Sequence, residues 1–231
     1  MKVKSHQPVL AWIEQQLSRG ELQIGQRLPS ERTLAEQFDL SRASVREAIT
    51  VLEAMGVVRS AVGSGPGAGT VIIAQPGSAL GSALRFHVAS SHLPVADIVQ
   101  TRLLFETWAC EHSRTDSPVL AEAELLLEEM ASLAAEQGEE FLALDIRFHL
   151  ALAESAGNVV VGAMMLSLRE SIRNYTSEIV TRLPDWVRTS ARLHDEHSQI
   201  LALLRRGERA AAAGLVAEHI EGFYREGLRE K

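Results

Sequence analysis

Four side chains able to bind a metal ion fall on predicted inner faces of helices in the second half of this 231-residue chain. Asp145 and His149 are four residues apart and therefore share one helix face. His197 and His219 each stand on an apolar stripe, and Gly207 between them predicts a turn that brings their helices side by side. The apolar residues that mark these faces are Phe141, Phe148 and Leu152, then Ile200, Leu201 and Leu204, then Leu215, Val216 and Phe223. One carboxylate and three imidazoles that face inward predict a site for a divalent transition metal.

Each part of this set also has a simpler interpretation. A pair such as Asp145 and His149 often forms an ion pair on a helix, and a single inward histidine often serves as a hydrogen-bonded core residue. His194 is an alternative to His197 because it lies only one helical turn away. Four buried polar groups are costly unless they satisfy one another or an ion, so their coincidence favours a metal site.

A second group of polar side chains, near the N-terminus, is suited to contact DNA. Arg42 and Arg46 share one face of a predicted helix over 42–55, which begins after Ser41, a good N-cap. A shorter predicted helix, 31–38, ends just before it, and this spacing is that of a helix-turn-helix. The side chains that we expect at bases or phosphates are Arg32, Arg42, Ser44 and Arg46.

A β-hairpin is predicted to follow the two helices. Short runs of β-branched residues at 57–59 and 70–73 flank a glycine-rich segment, 63–69. Glycines at the tip of a hairpin allow its backbone to approach the minor groove closely. The hairpin therefore has the place and composition of a wing.

The rest of the chain is predicted to be helical, with breaks at proline and glycine positions. The predicted helices span 79–89, 95–114, 117–136, 139–155, 158–182, 187–206 and 208–228. We expect a mainly α protein, with a winged helix-turn-helix domain over 1–74, a linker over 75–78 and an all-α antiparallel bundle over 79–231. The first 75 residues carry a net charge of +1 and the remainder −8, so the acidity of the chain belongs to the bundle and leaves DNA binding open to the first domain.

Composition excludes several other kinds of protein. The single cysteine, Cys110, excludes a disulfide within the chain and a zinc site built from cysteines. No apolar run approaches about 18 residues, and the N-terminal segment becomes polar too soon for a secretory signal. We therefore expect a cytoplasmic protein with no membrane partner.

The N-terminal segment resembles the DNA-binding domain of the GntR family of regulators over residues 6–73. The residues that carry the resemblance are LPSER at 28–32, LA at 34–35, SRASVREA at 41–48, Leu52 and Gly56. The resemblance implies a winged helix that binds a short palindrome in double-stranded DNA as a homodimer. It also implies that Arg32, Arg42, Ser44, Arg46 and the wing near Gly63 contact DNA.

The C-terminal segment resembles the helical ligand-binding domain, called FCD, of FadR-type GntR regulators over most of residues 79–228. DIRFH at 145–149, AGN at 156–158 and EH at 196–197 and 218–219 are similar to its metal-binding subgroup. The resemblance implies Asp145, His149, His197 and His219 as ligands, zinc as the first expectation with nickel or manganese as alternatives, and Arg102 as a partner for an effector carboxylate. LPDW at 183–186, TSARL at 189–193 and EHIEG at 218–222 are similar to regulators of L-lactate utilisation.

The function predicted from the sequence is that of a ligand-responsive repressor, which binds a palindromic operator and responds to a small organic acid such as L-lactate. Two alternatives remain open at this point. In the first, the metal ion is itself the signal. In the second, the centre activates water in a metal-dependent hydrolase. No general base or nucleophile motif stands out to favour that enzyme, so we predict that the protein is not one.

Overall fold

The computed structural model of the protein describes residues 6–61, 69–73, 75–89, 94–133 and 137–227. Ten helices and two strands lie within these ranges: α1 Gln7–Ser18, α2 Glu31–Phe38, α3 Arg42–Ala54, β1 Val58–Ala61, β2 Gly69–Ile72, α4 Pro76–Ala89, α5 Val95–His112, α6 Val119–Ala131, α7 Gly138–Ser155, α8 Val159–Val180, α9 Trp186–Arg205 and α10 Arg209–Glu226. The chain divides into two compact units, Met1–Leu80 and Gly81–Lys231. The mainly α fold predicted from the sequence is confirmed.

The helix-turn-helix of the first unit is defined by two serine caps. The Ser30 hydroxyl accepts a hydrogen bond from the Thr33 N–H at the start of α2, and Ser41 does the same for Ser44 at the start of α3. These bonds satisfy N–H groups that have no partner within the helix. Asp39 has a φ of 53°, in the left-handed region, and makes the tight turn between α2 and α3.

A small apolar core joins the three helices of this unit to its hairpin. The fully or almost fully buried members are Val9, Ile13, Leu34, Val45, Ala48, Val58 and Ile72. Strands β1 and β2 pair antiparallel, with Val58 opposite Ile72 and Ala61 opposite Gly69. The predicted hairpin is therefore present. Residues 62–68, which include the predicted DNA-contacting Gly63, lie outside the described residues.

The second unit is a helical bundle over its described residues. Helix α7 packs between α6 and α8, and α10 packs against both α5 and α9. Gly157 and Gly207, with φ values of 75° and 76°, turn the chain between α7 and α8 and between α9 and α10. Because only glycine adopts this backbone region without strain, both breaks were visible in the sequence. None of the helices that the structure describes combines the length and the apolar character needed to cross a bilayer.

The start of α4 differs from the expectation. The segment predicted as a linker, 75–78, is helical from Pro76 onwards because α4 begins there. A proline is tolerated in the first turn of a helix, where its missing N–H would have no helical partner in any case. Pro76 and Gly77 therefore do not prevent this segment from forming a helix.

Candidate metal centre and DNA-contact surface

Four buried side chains from three helices converge inside the bundle. Asp145 and His149 come from α7, His197 from α9 and His219 from α10, and each offers a ligand atom within 4.8 Å of the others. The Nε2 atoms of His149 and His219 lie 3.2 Å apart, and those of His197 and His219 lie 3.1 Å apart. Asp145 Oδ1 lies 3.2 Å from His197 Nε2 and 3.7 Å from His149 Nε2.

The helices bring these groups together because each presents an apolar face to the same core. His149 lies beside the fully buried Phe148, whose ring also packs against His197. Gly207 reverses the chain, so that α10 returns along α9 and His219 meets His197. The four side chains thus occupy positions that the apolar periodicity had assigned to the interior.

Two carboxylates determine which nitrogen of two histidines carries the proton. His149 Nδ1 donates to Glu106 Oε2, and His219 Nδ1 donates to Glu196 Oε2 at 2.7 Å. An ionised carboxylate only accepts hydrogen bonds, so the proton of each neutral imidazole must be on Nδ1. The Nε2 atom of each ring therefore presents a lone pair. Carboxylates in this position orient the histidine ligands of metal sites.

The geometry of the cluster fits a transition-metal ion. Metal–ligand bonds of about 2.0–2.1 Å in a tetrahedron separate neighbouring ligand atoms by about 3.3 Å. Four of the six separations among Asp145 Oδ1 and the three imidazole Nε2 atoms lie between 3.1 and 3.7 Å, and all four residues offer ligand atoms within 4.8 Å of one another. Lone pairs at 3.2 Å repel one another, and a cation between them removes this repulsion. The donor set of one carboxylate and three imidazoles suits zinc, nickel or manganese.

The protonation states favour a cation as well. Burial, together with the nearby His219, lowers the pKa of His197 to about 3, despite the attraction of Asp145. Burial also lowers the pKa of His219, although Glu196 opposes the shift. Burial by itself would raise the pKa of Asp145, but the interactions with His149 and His197 outweigh it and place that pKa well below its usual range. Near neutral pH the pair His197 and His219 is uncharged and Asp145 is ionised, as metal ligands must be.

Arg102 lies in the same part of the core. Its Nε donates to Glu106 Oε1 at 2.6 Å and its Nη1 to the Tyr175 hydroxyl at 3.1 Å, whereas Nη2 has no hydrogen-bond partner among the described residues. Burial opposes the charge of the guanidinium, but Glu106 and Tyr175 outweigh it and raise the pKa of Arg102. A buried, permanent cation with one unused N–H₂ group is suited to hold a carboxylate.

Arg102 and His149 line a common cavity. Its other lining residues are Ile146, Leu150, Met165, Arg169 and Ile172. The volume of about 10 Å³ has room for roughly one water molecule. An organic acid would therefore have to displace some of the lining side chains as it enters.

Some residues of this site were missed by sequence reasoning. Glu106 lies one helical turn after Arg102 on α5, and its contact with His149 was not predicted. Glu196 directly precedes His197, but its partner is His219. Tyr175 gave no local signal, because its contact with Arg102 crosses 73 positions of the chain.

The rival ligand His194 lies outside the cluster. Its Nε2 is 3.1 Å from the carbonyl oxygen of Leu127, and its side chain is only partly buried. It therefore serves as a hydrogen-bonded residue between α9 and α6, as the simpler interpretation of a single histidine proposed. His197, one turn away, takes the place in the cluster.

The predicted DNA-contacting side chains of the first unit lie on its surface. Arg32, Arg42 and Arg46 are exposed, and Ser44 is half-buried. Arg46 Nη2 donates to Glu31 Oε2 at 2.8 Å and its Nε to Oε1 at 3.3 Å, which holds the guanidinium in one orientation although 69% of its side chain is exposed. The Ser44 hydroxyl is paired with that of Ser41 at 2.9 Å.

Comparisons with known proteins agree with both halves of this description. Residues 6–67 match the family model described as bacterial regulatory proteins, gntR family, and residues 97–222 match the FCD domain. The chain is 31% identical over 211 residues to the HTH-type transcriptional regulator LutR of Bacillus subtilis, covering 88% of this chain and 92% of LutR. It is 35% identical over 165 residues to the HTH-type transcriptional repressor NanR of Escherichia coli, covering 68% of this chain and 59% of NanR.

Solved structures with a similar fold include a Streptococcus agalactiae GntR protein. Its TM-score is 0.66 at 23% identity, with 96% of this chain and 99% of that protein covered. A putative transcriptional regulator GntR from Rhodococcus sp. RHA1 gives a TM-score of 0.51 at 19% identity, with 99% and 100% covered. At these identities the likeness concerns the fold.

Proposed function

We propose, from the premise that this chain belongs to the GntR family of bacterial regulatory proteins and carries an FCD domain, that its operator affinity is controlled by a small organic acid bound beside a metal ion. The single observation that carries the proposal is the convergence of three imidazole Nε2 atoms and one carboxylate next to the unpaired Nη2 of Arg102. The relatives are named as transcriptional regulators, so the hydrolase alternative is set aside.

The DNA-binding side chains in this proposal are those of the recognition helix and its neighbour. Arg42 and Arg46 on α3 would reach base edges or phosphates in the major groove, with Ser44 between them and Arg32 on α2 beside them. Gly63 would bring the wing backbone to the minor groove. The exposure of all three arginines supports the assignment.

We propose that the operator is a palindrome read by a homodimer. Two recognition helices of a dimer engage half-sites about 34 Å apart, one turn of the duplex. Light scattering on the eluting protein tests the first part, with an expected mass of twice 25.2 kDa. A mass equal to that of one chain at micromolar concentration, with and without DNA, would rule the dimer out.

The metal proposed for Asp145, His149, His197 and His219 is zinc, with nickel or manganese as alternatives. The bound ion would supply a positive charge and a coordination position for a hydroxyl or carboxylate oxygen. Arg102 would hold a carboxylate oxygen of the effector. L-lactate is the acid to test first because three segments of the second unit resemble regulators of L-lactate utilisation.

The test measures operator binding by fluorescence anisotropy, with an operator selected from random duplexes by the wild-type protein. Zinc-loaded protein is titrated at fixed salt with and without L-lactate, and acetate and glycerol serve as the controls for a bare carboxylate and a bare hydroxyl. We expect L-lactate to change the operator affinity about 5- to 150-fold. If no carboxylic acid in a wider set changes it, the effector assignment is wrong.

A second candidate function is that of a direct metal sensor. The small cavity beside His149 favours it, because a volume of about 10 Å³ leaves little room for an organic acid. In that case, adding zinc to metal-free protein changes operator affinity without any acid. A response that requires both zinc and L-lactate would exclude the direct sensor.

A further inference from the structure

Glu106 links the candidate metal centre to the candidate carboxylate site with a single side chain. Its carboxylate is fully buried, and its two oxygens serve different partners. Oε1 accepts from Arg102 Nε at 2.6 Å, and Oε2 accepts from His149 Nδ1. A change in the hydrogen bond from His149 therefore alters the charge that Glu106 presents to Arg102.

The other carboxylate at the centre, Glu196, has different partners. Its Oε2 accepts from His219 Nδ1 at 2.7 Å, as Glu106 does from His149. Its Oε1 accepts from Arg192, which in turn donates to Glu226 at 2.7 Å, and all three side chains are partly exposed. Glu106 and Glu196 thus orient histidines in the same way, but only Glu106 contacts Arg102.

We propose that Glu106 is a positioning residue that couples the two sites, so that cation binding at His149 raises the affinity of Arg102 for a carboxylate; this rests on the function proposed above. A histidine bound to a cation through Nε2 is a stronger donor at Nδ1, so His149 draws more of the Glu106 charge towards itself. Arg102 is then less neutralised by Glu106, and its free Nη2 attracts an anion more strongly. The coupling is reciprocal, and a bound carboxylate raises metal affinity by the same factor.

The substitution Glu106→Gln removes one of the two accepted hydrogen bonds and keeps a side chain of the same size. A carboxamide has one oxygen that accepts and one nitrogen that only donates. The variant Glu106→Gln can therefore accept a hydrogen bond from either Arg102 or His149, but not from both. Glu196→Gln makes the same change at the other histidine and is the matched control.

The experiment measures zinc affinity by chelator competition, with and without saturating L-lactate, for the wild-type protein and both variants. Reciprocity makes the ratio of the two zinc Kd values the coupling factor when L-lactate saturates both the zinc-loaded and the metal-free protein. We expect the factor to be at least about fivefold smaller in Glu106→Gln and unchanged in Glu196→Gln. Zinc affinity itself is expected to fall about 10- to 100-fold in both, because in each variant the ligand histidine no longer faces an ionised carboxylate.

Tyr175→Phe is a second test that does not touch the metal ligands. It removes the hydrogen bond from Arg102 Nη1 and should weaken L-lactate binding while leaving the coupling factor as in the wild type. The inference is overturned if Glu106→Gln keeps the wild-type factor, or if Glu196→Gln or Tyr175→Phe lowers it as much. Absence of zinc binding or of L-lactate binding in the wild-type protein would overturn the proposed function as well, whereas normal binding with an unchanged factor in Glu106→Gln overturns the coupling alone.

Discussion

The Nε2 atoms of His149 and His219 face each other at 3.2 Å, while the Nδ1 atom of each ring donates to its own carboxylate. Two neutral imidazoles in this state have only lone pairs between them. Bringing them together inside a core raises the free energy of the folded protein unless a cation or a proton lies between them. The contact between these two rings is therefore the strongest structural reason to expect a metal ion in the bundle.

Removing one ligand should remove the ion. We expect His149→Ala to lower bound zinc from about one ion per chain to less than about a tenth after dialysis, because only three of the four donor groups remain. Elemental analysis of the purified protein measures the content. His194→Ala is the control, since that ring bonds to the Leu127 carbonyl and is expected to leave the content unchanged. Full zinc content in His149→Ala would falsify the ligand assignment.

Removing the oriented arginine of α3 should weaken DNA binding. We expect Arg46→Ala to lower operator affinity about 5- to 150-fold at fixed salt, as the loss of a base contact does. Fluorescence anisotropy measures the affinity, and circular dichroism checks that the fold is intact. Arg19→Ala, an exposed position at the end of α1, is the matched control. Equal affinities of the two variants would count against a contact between Arg46 and DNA.

The guanidinium of Arg102 should be specific for a carboxylate. We expect Arg102→Lys to lower L-lactate affinity at least about tenfold, because an ammonium does not reproduce the planar fork that reaches Glu106, Tyr175 and a ligand together. Thermal shift of zinc-loaded protein against L-lactate concentration measures this, and zinc content should remain near one ion per chain. Arg147→Lys, on the exposed side of α7, should behave as the wild type. Unaltered L-lactate binding in Arg102→Lys would exclude that contact.

The metal-free protein should lose stability in mild acid. Because the pKa of His197 falls from 6.5 to about 3 on folding, the unfolded chain binds the additional proton between these values, and stability rises with pH across that window. The contribution of the neutral His197 to the free energy of unfolding is complete above pH 6.5 and is lost as the pH falls towards 3. Between pH 6.5 and 5 the loss amounts to about 2 kcal/mol.

Urea unfolding of the protein in excess chelator, at several pH values from 7.5 to 5, checks this expectation. The His197→Asn variant should show a shallower dependence on pH than the wild type, by about one proton. His194→Asn should show the wild-type dependence, since that ring is not in the cluster. Identical slopes for all three proteins would mean that His197 does not resist protonation.

Local physics made much of this protein predictable from its sequence. Ser30 and Ser41 cap α2 and α3 through bonds to residues three positions on, so the helix-turn-helix needed no long-range information. The apolar periodicity likewise placed Asp145 and His149 on one inner face of α7. Glycines at 157 and 207 marked two breaks, because each adopts a backbone conformation that other residues avoid.

Contacts between helices were decided only by the tertiary structure. His194 and His197 lie one turn apart on α9, and periodicity did not determine which of them meets α7 and α10; the rotation of the packed helix turns His197 into the cluster and His194 towards Leu127. The two bonds of Glu106 depend on packing in the same way, since one partner lies on its own helix and the other on α7. A pattern along one helix shows which side chains face inward, whereas their partners depend on the orientation of every neighbouring helix.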